Sequence, residues 1–219
     1  MSKTGTLVFA SLALALSLAI GSTHASSITY DFTGSSSGLG TGNLGIGSAT
    51  VISGGLPVLV EAFDEFGAAG LLARNNMNGL GVVGEPGTGQ ETNQVGADSN
   101  GGESLEFDFT PNSVTVIDTV VFELGMEAGS LDVFADNVLL ETISWTAATG
   151  GGNTGNSDVA YTFTSSVAAR TAQSFTFAAV EDSFRVKSLT VELIPEPASL
   201  LLLVVGAAAI AIGSRRHEG

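Results

Sequence analysis

The sequence contains no cysteine, and its two histidines, His24 and His217, lie near the two ends of the chain. Residues 26–194 therefore contain neither a thiol nor an imidazole. This excludes Ser-His-Asp and Cys-His nucleophilic catalysis, zinc sites built from histidine or cysteine, iron–sulfur clusters and disulfides from the interior of the chain. Carboxylate, amide, hydroxyl and aromatic chemistry remains, and we predict no catalytic residue.

Positive charge is also scarce. The chain has 7 Lys and Arg against 22 Asp and Glu, which gives a formal net charge of −15. The basic residues of the interior are Arg74, Arg170, Arg185 and Lys187. Such a surface repels phosphates and anionic lipid head groups, and it favours cations or neutral partners such as glycans. We expect no nucleic-acid partner.

The first long apolar run, residues 7–20, follows Lys3 and is succeeded by small residues that end at Ala25 before Ser26. A basic start, a short apolar run and a small-residue cleavage site are typical of a secretory signal peptide. We therefore predict a signal peptide over residues 1–25 and export of the rest of the chain. A buried core helix is the alternative.

The second long apolar run lies at the other end of the chain. Pro195-Glu196-Pro197 precedes the uncharged run 200–212, and Arg215-Arg216 follows it. As a helix, residues 198–213 would extend about 24 Å, slightly less than the roughly 30 Å of a hydrocarbon core. The positive-inside rule places the arginines in the cytoplasm and the interior outside, in agreement with the signal peptide. Both ends predict one topology.

The order of these parts over residues 195–219 resembles the PEP-CTERM sorting signal, which is read by the membrane transpeptidase exosortase. The two prolines favour an extended tripeptide in front of the helix. The resemblance implies exosortase as a partner and a membrane-anchored precursor that ends at the cell surface or in the extracellular matrix. Exopolysaccharide or other glycans are then candidate partners. An unprocessed single-pass anchor is the alternative.

Between the two ends the apolar residues alternate with a period of two, which predicts β-strands. The predicted strands are residues 28–32, 46–52, 57–63, 80–83, 104–109, 114–124, 130–135, 138–143, 159–164, 173–179 and 183–193. We predict one all-β domain over residues 26–194, an antiparallel β-sandwich of jelly-roll type. A Greek-key sandwich with another strand order fits the same pattern.

Local signals refine this prediction. Asp136-Asn137 stands between two apolar runs, and both residue types tolerate positive φ, which predicts a two-residue hairpin. The apolar residues change parity within residues 183–193, which predicts a bulge or a crossing between sheets. The best helix candidate covers residues 62–75, although Gly67 and Gly70 interrupt it.

A second resemblance lies in the interior. Gly79-Leu80-Gly81-Val82, then an acidic loop, then Glu103-Ser104-Leu105-Glu106-Phe107 resemble a pattern seen in many PEP-CTERM ectodomains. That pattern often has Ile-Asp where this chain has Val95-Gly96, so one of its oxygen ligands is missing.

The same acidic loop offers hard oxygen donors, which calcium prefers. The candidate Ca²⁺ ligands are Glu85, Asp98, Asn100 and Glu103. The EF-hand spacing fails, because counting from Asp98 places Phe109 at the twelfth position, where an EF-hand has glutamate. A solvated acidic loop is the alternative to a metal site.

Two further groups could contact a glycan. Trp145 and Tyr161 are candidates for a platform on which sugar rings stack, although a single tryptophan at a strand end is more often part of a core. Carboxylate pairs could hydrolyse glycosides. The alternation of the strands, however, places four of the acids on polar faces: Glu106, Asp108, Asp132 and Glu141.

We therefore expect an exported, non-enzymatic protein of the cell surface or extracellular matrix. A calcium-dependent carbohydrate-binding module is the alternative, and a carboxylate-based hydrolase ranks third.

Overall fold

The computed structural model describes residues 26–33, 39, 42–44, 46–64, 66–75, 79–83, 94–98, 101–109, 113–125, 127–146 and 158–194. These residues form strands, turns and bends, with no helix among them. The strands are β1 (Ser26–Asp31), β2 (Gly42–Asn43), β3 (Ser48–Ser53), β4 (Leu56–Phe63), β5 (Leu72–Asn75), β6 (Gly79–Val82), β7 (Val95–Asp98), β8 (Gly101–Gly102), β9 (Ser104–Asp108), β10 (Thr115–Leu124), β11 (Gly129–Ala135), β12 (Val138–Trp145), β13 (Asp158–Thr162), β14 (Thr171–Ala172), β15 (Ser174–Glu181) and β16 (Ser183–Leu193).

The strands form two antiparallel sheets, as the alternation predicted. The ten-stranded sheet has the order β13-β10-β16-β6-β5-β2, with β1 and β7 also on β16, β14 on β10 and β8 on β7. The six-stranded sheet has the order β12-β11-β15-β9-β4-β3. Consecutive strands cross between the sheets, for example from β9 to β10 and back to β11. The result is a β-sandwich.

The core between the sheets follows from this alternation. In β4, Leu56, Val58, Val60 and Ala62 are buried while the residues between them are partly exposed. Aromatic rings extend the core across both sheets: Phe122 of β10 meets Phe177 of β15 at 5.7 Å and Phe184 of β16 at 5.6 Å. Edge-to-face contacts of this kind add to the free energy gained by burial.

The two local predictions for turns and bulges are confirmed. Asp136 and Asn137 have φ values of 47° and 65° and connect β11 to β12 as a two-residue turn. Val121 and Phe122 of β10 are consecutive, but they pair with Ser188 and Val186 of β16. Lys187 is therefore an extra residue in β16. This bulge explains why the buried apolar side chains lie at even positions before Lys187 and at odd positions after it.

The helix candidate over residues 62–75 is wrong. Residues up to Phe63 complete β4, and the residues from Leu72 onward form β5. Between them, the Asp64 carboxylate accepts hydrogen bonds from the backbone N–H of Phe66 at 3.0 Å and of Ala68 at 2.7 Å. A side chain that satisfies backbone donors in this way favours a turn over a helix.

Arg74 of β5 lies inside the sandwich with 1% of its surface exposed. Its Nε donates to the carbonyl of Phe32 at 2.8 Å, and its Nη1 donates to the carbonyl of Leu39. Burial lowers the pKa of this guanidinium, while Asp31 opposes the shift. Arg74 thus fixes the chain that follows β1 to β5, next to the end of the ten-stranded sheet.

The sandwich belongs to a unit that extends from Ser27 to Leu193. The second unit comprises Met1–Ser26 and Ile194–Gly219, of which the structure describes Ser26 and Ile194. Over the described residues, no helix is long and apolar enough to cross a membrane. The predicted signal peptide, up to Ala25, and the predicted sorting signal with Pro195, Glu196, Pro197, Arg215 and Arg216 lie outside those residues.

Candidate functional site

The outer face of the six-stranded sheet carries a cross-strand row of four side chains. Phe134 of β11 pairs with Thr176 of β15, Thr176 with Glu106 of β9, and Glu106 with Glu61 of β4. We call these four residues the cross-strand row. All four are partly exposed, so the row joins an aromatic ring at one end to two adjacent carboxylates at the other.

The carboxylates at the Glu61 and Glu106 end of the row repel one another. Burial raises the pKa of Glu106, and the like charges of Glu61, Asp108 and Asp136 raise it further, against a hydrogen bond from Ser174. Burial and Asp136 also raise the pKa of Asp108. Partly desolvated carboxylates in this arrangement are strong acceptors for the hydroxyl donors of a neutral ligand.

Asp136 has a structural role beside the row. Its Oδ1 accepts hydrogen bonds from the backbone N–H of Gln173 and of Ser174, both at 2.9 Å. The turn between β11 and β12 is thereby fixed to the start of β15, the strand that contributes Thr176.

A second polar group connects the two sheets at one side of the sandwich. Glu141 of β12 accepts a hydrogen bond from the Tyr161 hydroxyl at 2.6 Å, and its other oxygen accepts from the backbone N–H of Ser165 at 2.8 Å and of Thr164 at 3.2 Å. The Ser165 hydroxyl also donates to it. We call these residues the Glu141 latch.

The placement of Glu141 corrects its assignment to a polar strand face. Leu140 is an extra residue where β12 pairs with β11, and Glu141 shares a face with the buried Ile143 and Trp145. The parity of these two apolar residues was the signal in the sequence that placed Glu141 on the inner face. Asp132 does lie outside, where it accepts a hydrogen bond from Thr142 at 2.6 Å.

The two residues predicted to stack on sugar rings lie on different sheets. Trp145, at the end of β12, is 6% exposed, and its Nε1 is buried with no hydrogen-bond partner among the residues that the structure describes. The ring of Tyr161 packs edge-on against Phe163 at 5.3 Å, and burial followed by the contact with Glu141 raises its pKa to about 12. A stacking role for this pair stays a prediction.

A buried ion pair lies farther along the ten-stranded sheet. Arg185 of β16 donates to Glu123 Oε1 of β10 at 2.6 Å, with side-chain exposures of 9% and 2%. Burial raises the pKa of Glu123, against the opposing charges of Arg185 and Lys187. Lys187 in turn binds Asp158 of β13 at 2.7 Å. Sequence periodicity did not predict these pairs, because it does not show which residues of neighbouring strands lie side by side. Asp158 also lies outside the predicted strand 159–164.

The structure describes two of the four predicted calcium ligands. Glu103 is buried, and its Oε2 accepts a hydrogen bond from the backbone N–H of Gly96 at 2.9 Å. Asp98 ends β7, and Glu85 and Asn100 lie outside the described residues. Within the described part of the chain, no group of three or more His, Cys, Asp or Glu side chains could hold a metal ion. The calcium site stays a prediction.

Comparisons with known proteins add little. No protein-family model matches the chain, and no curated protein matches it. Among solved structures it is similar to an isomalto-dextranase of Arthrobacter globiformis T6 complexed with panose, at 12% identity and a TM-score of 0.33. The similarity covers 77% of this chain and 33% of the other, so the chain spans about a third of that protein's length. A likeness of this size assigns neither activity nor ligand.

Proposed function

We propose that the chain is an exported, non-enzymatic β-sandwich protein of the cell surface or extracellular matrix, sorted by exosortase. The observation that carries the proposal is the order of the two terminal sequences. A sequence typical of a signal peptide, residues 1–25, precedes the sandwich, and a Pro-Glu-Pro tripeptide, an apolar segment and Arg215-Arg216 follow it. We also propose a jelly-roll arrangement, supported by the repeated crossing of consecutive strands between the sheets.

The acidic side chains of the sandwich support a structural role. Asp64, Asp136 and Glu141 each accept two backbone N–H bonds, and Asp182 accepts one from Glu127 at 3.2 Å. Carboxylates that satisfy backbone donors hold turns and strand ends in place. In a chain without cysteine, such bonds replace disulfides as the means of fixing loops in an exported domain.

Mass spectrometry of the chain isolated from its host tests the proposal. We expect the mature form to begin at Ser26 and to end close to Pro195–Glu196–Pro197. A variant with Arg215→Gln and Arg216→Gln is the control, because it should keep its C-terminal residues. An intact end at Gly219 in most wild-type molecules would instead support the plain membrane anchor.

The cross-strand row favours a second candidate function, a glycan-binding module. An apolar ring beside hydroxyl and carboxylate groups matches the two surfaces of a sugar, whose C–H face packs on rings while its hydroxyls donate hydrogen bonds. The net charge of −15 favours neutral over acidic glycans.

A glycan array with and without calcium tests this second function. We expect binding of neutral glycans to fall in Phe134→Ala and Glu106→Gln and to persist in Glu181→Gln, an exposed carboxylate at the far end of β15. Trp145→Ala tests the predicted stacking residue in the same experiment. Equal binding by all variants, or binding by none including the wild type, would remove this candidate.

A further inference from the structure

The edge of the six-stranded sheet at β3 carries no charge. No charged residue occurs between Asp31 and Glu61, although the chain has 22 Asp and Glu. The sequence of β3, Ser48–Ser53, is uncharged, and Ile52 is 69% exposed. This strand ends the sheet and pairs with β4 alone.

Natural sheet edges usually carry a charge, a proline, a bulge or a very short strand, because an open edge pairs with other chains. β3 has six residues, no proline and an unbroken register with β4. The other strands that have a single neighbour are protected: β12 has a bulge and Glu141, β13 has Asp158, β1 has Asp31, and β2, β8 and β14 have two residues each. Among the edge strands of the described residues, β3 therefore stands out as suited to pairing.

The hydrogen-bond pattern shows which groups of β3 are open. The carbonyl of Gly47 accepts from the N–H of Ala62 at 3.0 Å, so the pairs that exchange hydrogen bonds with β4 alternate from there. Ala49 and Val51 point their backbone groups toward β4. Ser48, Thr50 and Ile52 point theirs outward, and no hydrogen bond to these outward groups occurs within the described structure.

We propose that β3 pairs with β3 of a second copy of this chain, antiparallel, about a two-fold axis at Thr50. In this register Thr50 lies opposite its own counterpart, and Ser48 lies opposite Ile52 of the other copy. All three outward residues then form hydrogen-bonded pairs at once, so the edge is complementary to itself. The two six-stranded sheets become one continuous sheet.

The charge distribution permits this pairing. The carboxylate nearest to the seam is that of Glu61, which lies one strand inside, opposite Ser48. Across the two-fold axis the two Glu61 side chains are about 20 Å apart, given about 4.8 Å between strands and 3.4 Å per residue. The Debye length at physiological salt is about 8 Å, so their repulsion is screened. The proposal does not depend on the proposed function.

Engineered cysteines test the register, because the chain has none of its own. Thr50→Cys places two Cα atoms about 5.5 Å apart across the axis, within disulfide range, whereas Ile52→Cys places them about 14 Å apart. Under oxidation of the full chain we expect a covalent dimer from Thr50→Cys and none from Ile52→Cys. Equal cross-linking of both variants, or of neither, would overturn the proposal.

Sedimentation equilibrium of the full chain in a nonionic detergent tests the pairing without cross-links. We expect a dimer that is stronger at 0.15 M than at 0.01 M salt, because screening reduces the repulsion between two acidic copies. Thr50→Pro removes an outward N–H and leaves the bonds to β4 intact, so the dimer Kd should rise at least about tenfold. Thr50→Lys places two like charges opposite each other at the axis and should also weaken the dimer. Thr162→Lys on the edge strand β13 is its control and should leave the dimer unchanged. The proposal would be overturned by a monomeric wild type, even if its β3 binds a different protein. It would also be overturned by a dimer that persists in both Thr50→Pro and Thr50→Lys.

Discussion

The Tyr161 hydroxyl donates a hydrogen bond of 2.6 Å to Glu141, and the two residues belong to the edge strands of opposite sheets, β13 and β12. Burial alone would raise the pKa of Glu141. The hydrogen bonds from Ser165, Tyr161 and the backbone of Thr164 outweigh it, so that the pKa lies below its ordinary value. This contact adds a charged hydrogen bond between the two sheets to the apolar packing of Tyr161 against Phe163.

We expect Tyr161→Phe to reduce the free energy of unfolding by about 1–2 kcal/mol, because it removes a charge-assisted hydrogen bond and leaves Glu141 with one oxygen unpaired. Urea unfolding measures the loss. Thr162→Val, an exposed change on the same strand, is the control and should cost less than about 0.5 kcal/mol. A loss of equal size in the two variants would contradict the role of the latch.

The Glu141 latch also predicts a pH dependence. A carboxylate whose folded pKa lies below its unfolded pKa stabilises the fold above the unfolded value, about 4.3, and this stabilisation is lost as the pH falls toward the folded value. The difference in free energy of unfolding between wild type and Glu141→Gln should therefore shrink as the pH falls from 7 to 3. A difference that stays constant over this range would assign the effect of the substitution to packing.

Glu106 should show the opposite sign. Burial and neighbouring carboxylates raise its folded pKa, so the charged form destabilises the fold above that pKa, and the penalty disappears as the pH falls below the unfolded value. We expect Glu106→Gln to raise the free energy of unfolding by about 0.5 kcal/mol at pH 7 and to have little effect at pH 3. Glu181→Gln, outside this cluster, should change stability little at either pH. Thermal unfolding at the two pH values makes the comparison.

The buried pair of Glu123 and Arg185 should be sensitive to the loss of one partner. Glu123→Ala leaves the guanidinium without its carboxylate in a nearly dry site, which costs about 3 kcal/mol or more. Lys187→Ala breaks the pair with Asp158, whose side chain is 52% exposed, and should cost less than about 1 kcal/mol. Denaturant unfolding measures the loss in free energy of unfolding for both variants. A smaller loss for Glu123→Ala than for Lys187→Ala would contradict this ranking.

From the predicted calcium site we expect a calcium-selective rise in melting temperature. Binding to the native state alone at about a hundredfold Kd adds about 2.7 kcal/mol, which raises the melting temperature by several degrees. Magnesium should do much less, because it prefers a strict octahedral geometry and retains its waters. The double change Asp98→Asn and Glu103→Gln should abolish the response to calcium.

Because Glu103 holds the backbone of Gly96, this double variant is expected to be less stable even without calcium. The quantity to compare is therefore the rise caused by calcium in each protein, and not the melting temperatures themselves. A rise of equal size with magnesium, or one that persists in the double variant, would reduce the effect to screening of negative charge.

The strands that could be predicted from the sequence are those with one buried and one solvated face. In β9, Leu105 and Phe107 alternate with Glu106 and Asp108, and the strand occurs where the alternation places it. β5, β7 and the two-residue strands were missed, because they are short and depend on pairing partners distant in sequence. β6 is buried at all four positions, so its burial follows from its place between β16 and β5 and not from a pattern.

The candidate site was less predictable for a related reason. Alternation assigns a residue to a face, but it does not state which residues of other strands lie beside it. The row that joins Phe134 to Glu61 requires the order of four strands, and that order is set by crossings between sheets. The extra residue Leu140 in β12 also changed the face on which Glu141 lies.

The first and last strands of the sandwich lie side by side, which governs the order of its assembly. The N–H of Phe32, just after β1, donates to the carbonyl of Lys187 at 2.8 Å, and the hydroxyls of Thr29 and Thr190 are 3.0 Å apart. During synthesis from the N-terminus, β1 can pair with β16 only after β16 has been synthesised. Contacts this distant in sequence form slowly. A nascent chain that stops before Ser183 lacks β16, the strand that pairs with β1, β6, β7 and β10. The complete ten-stranded sheet therefore forms only after the eleven residues of β16 have been synthesised.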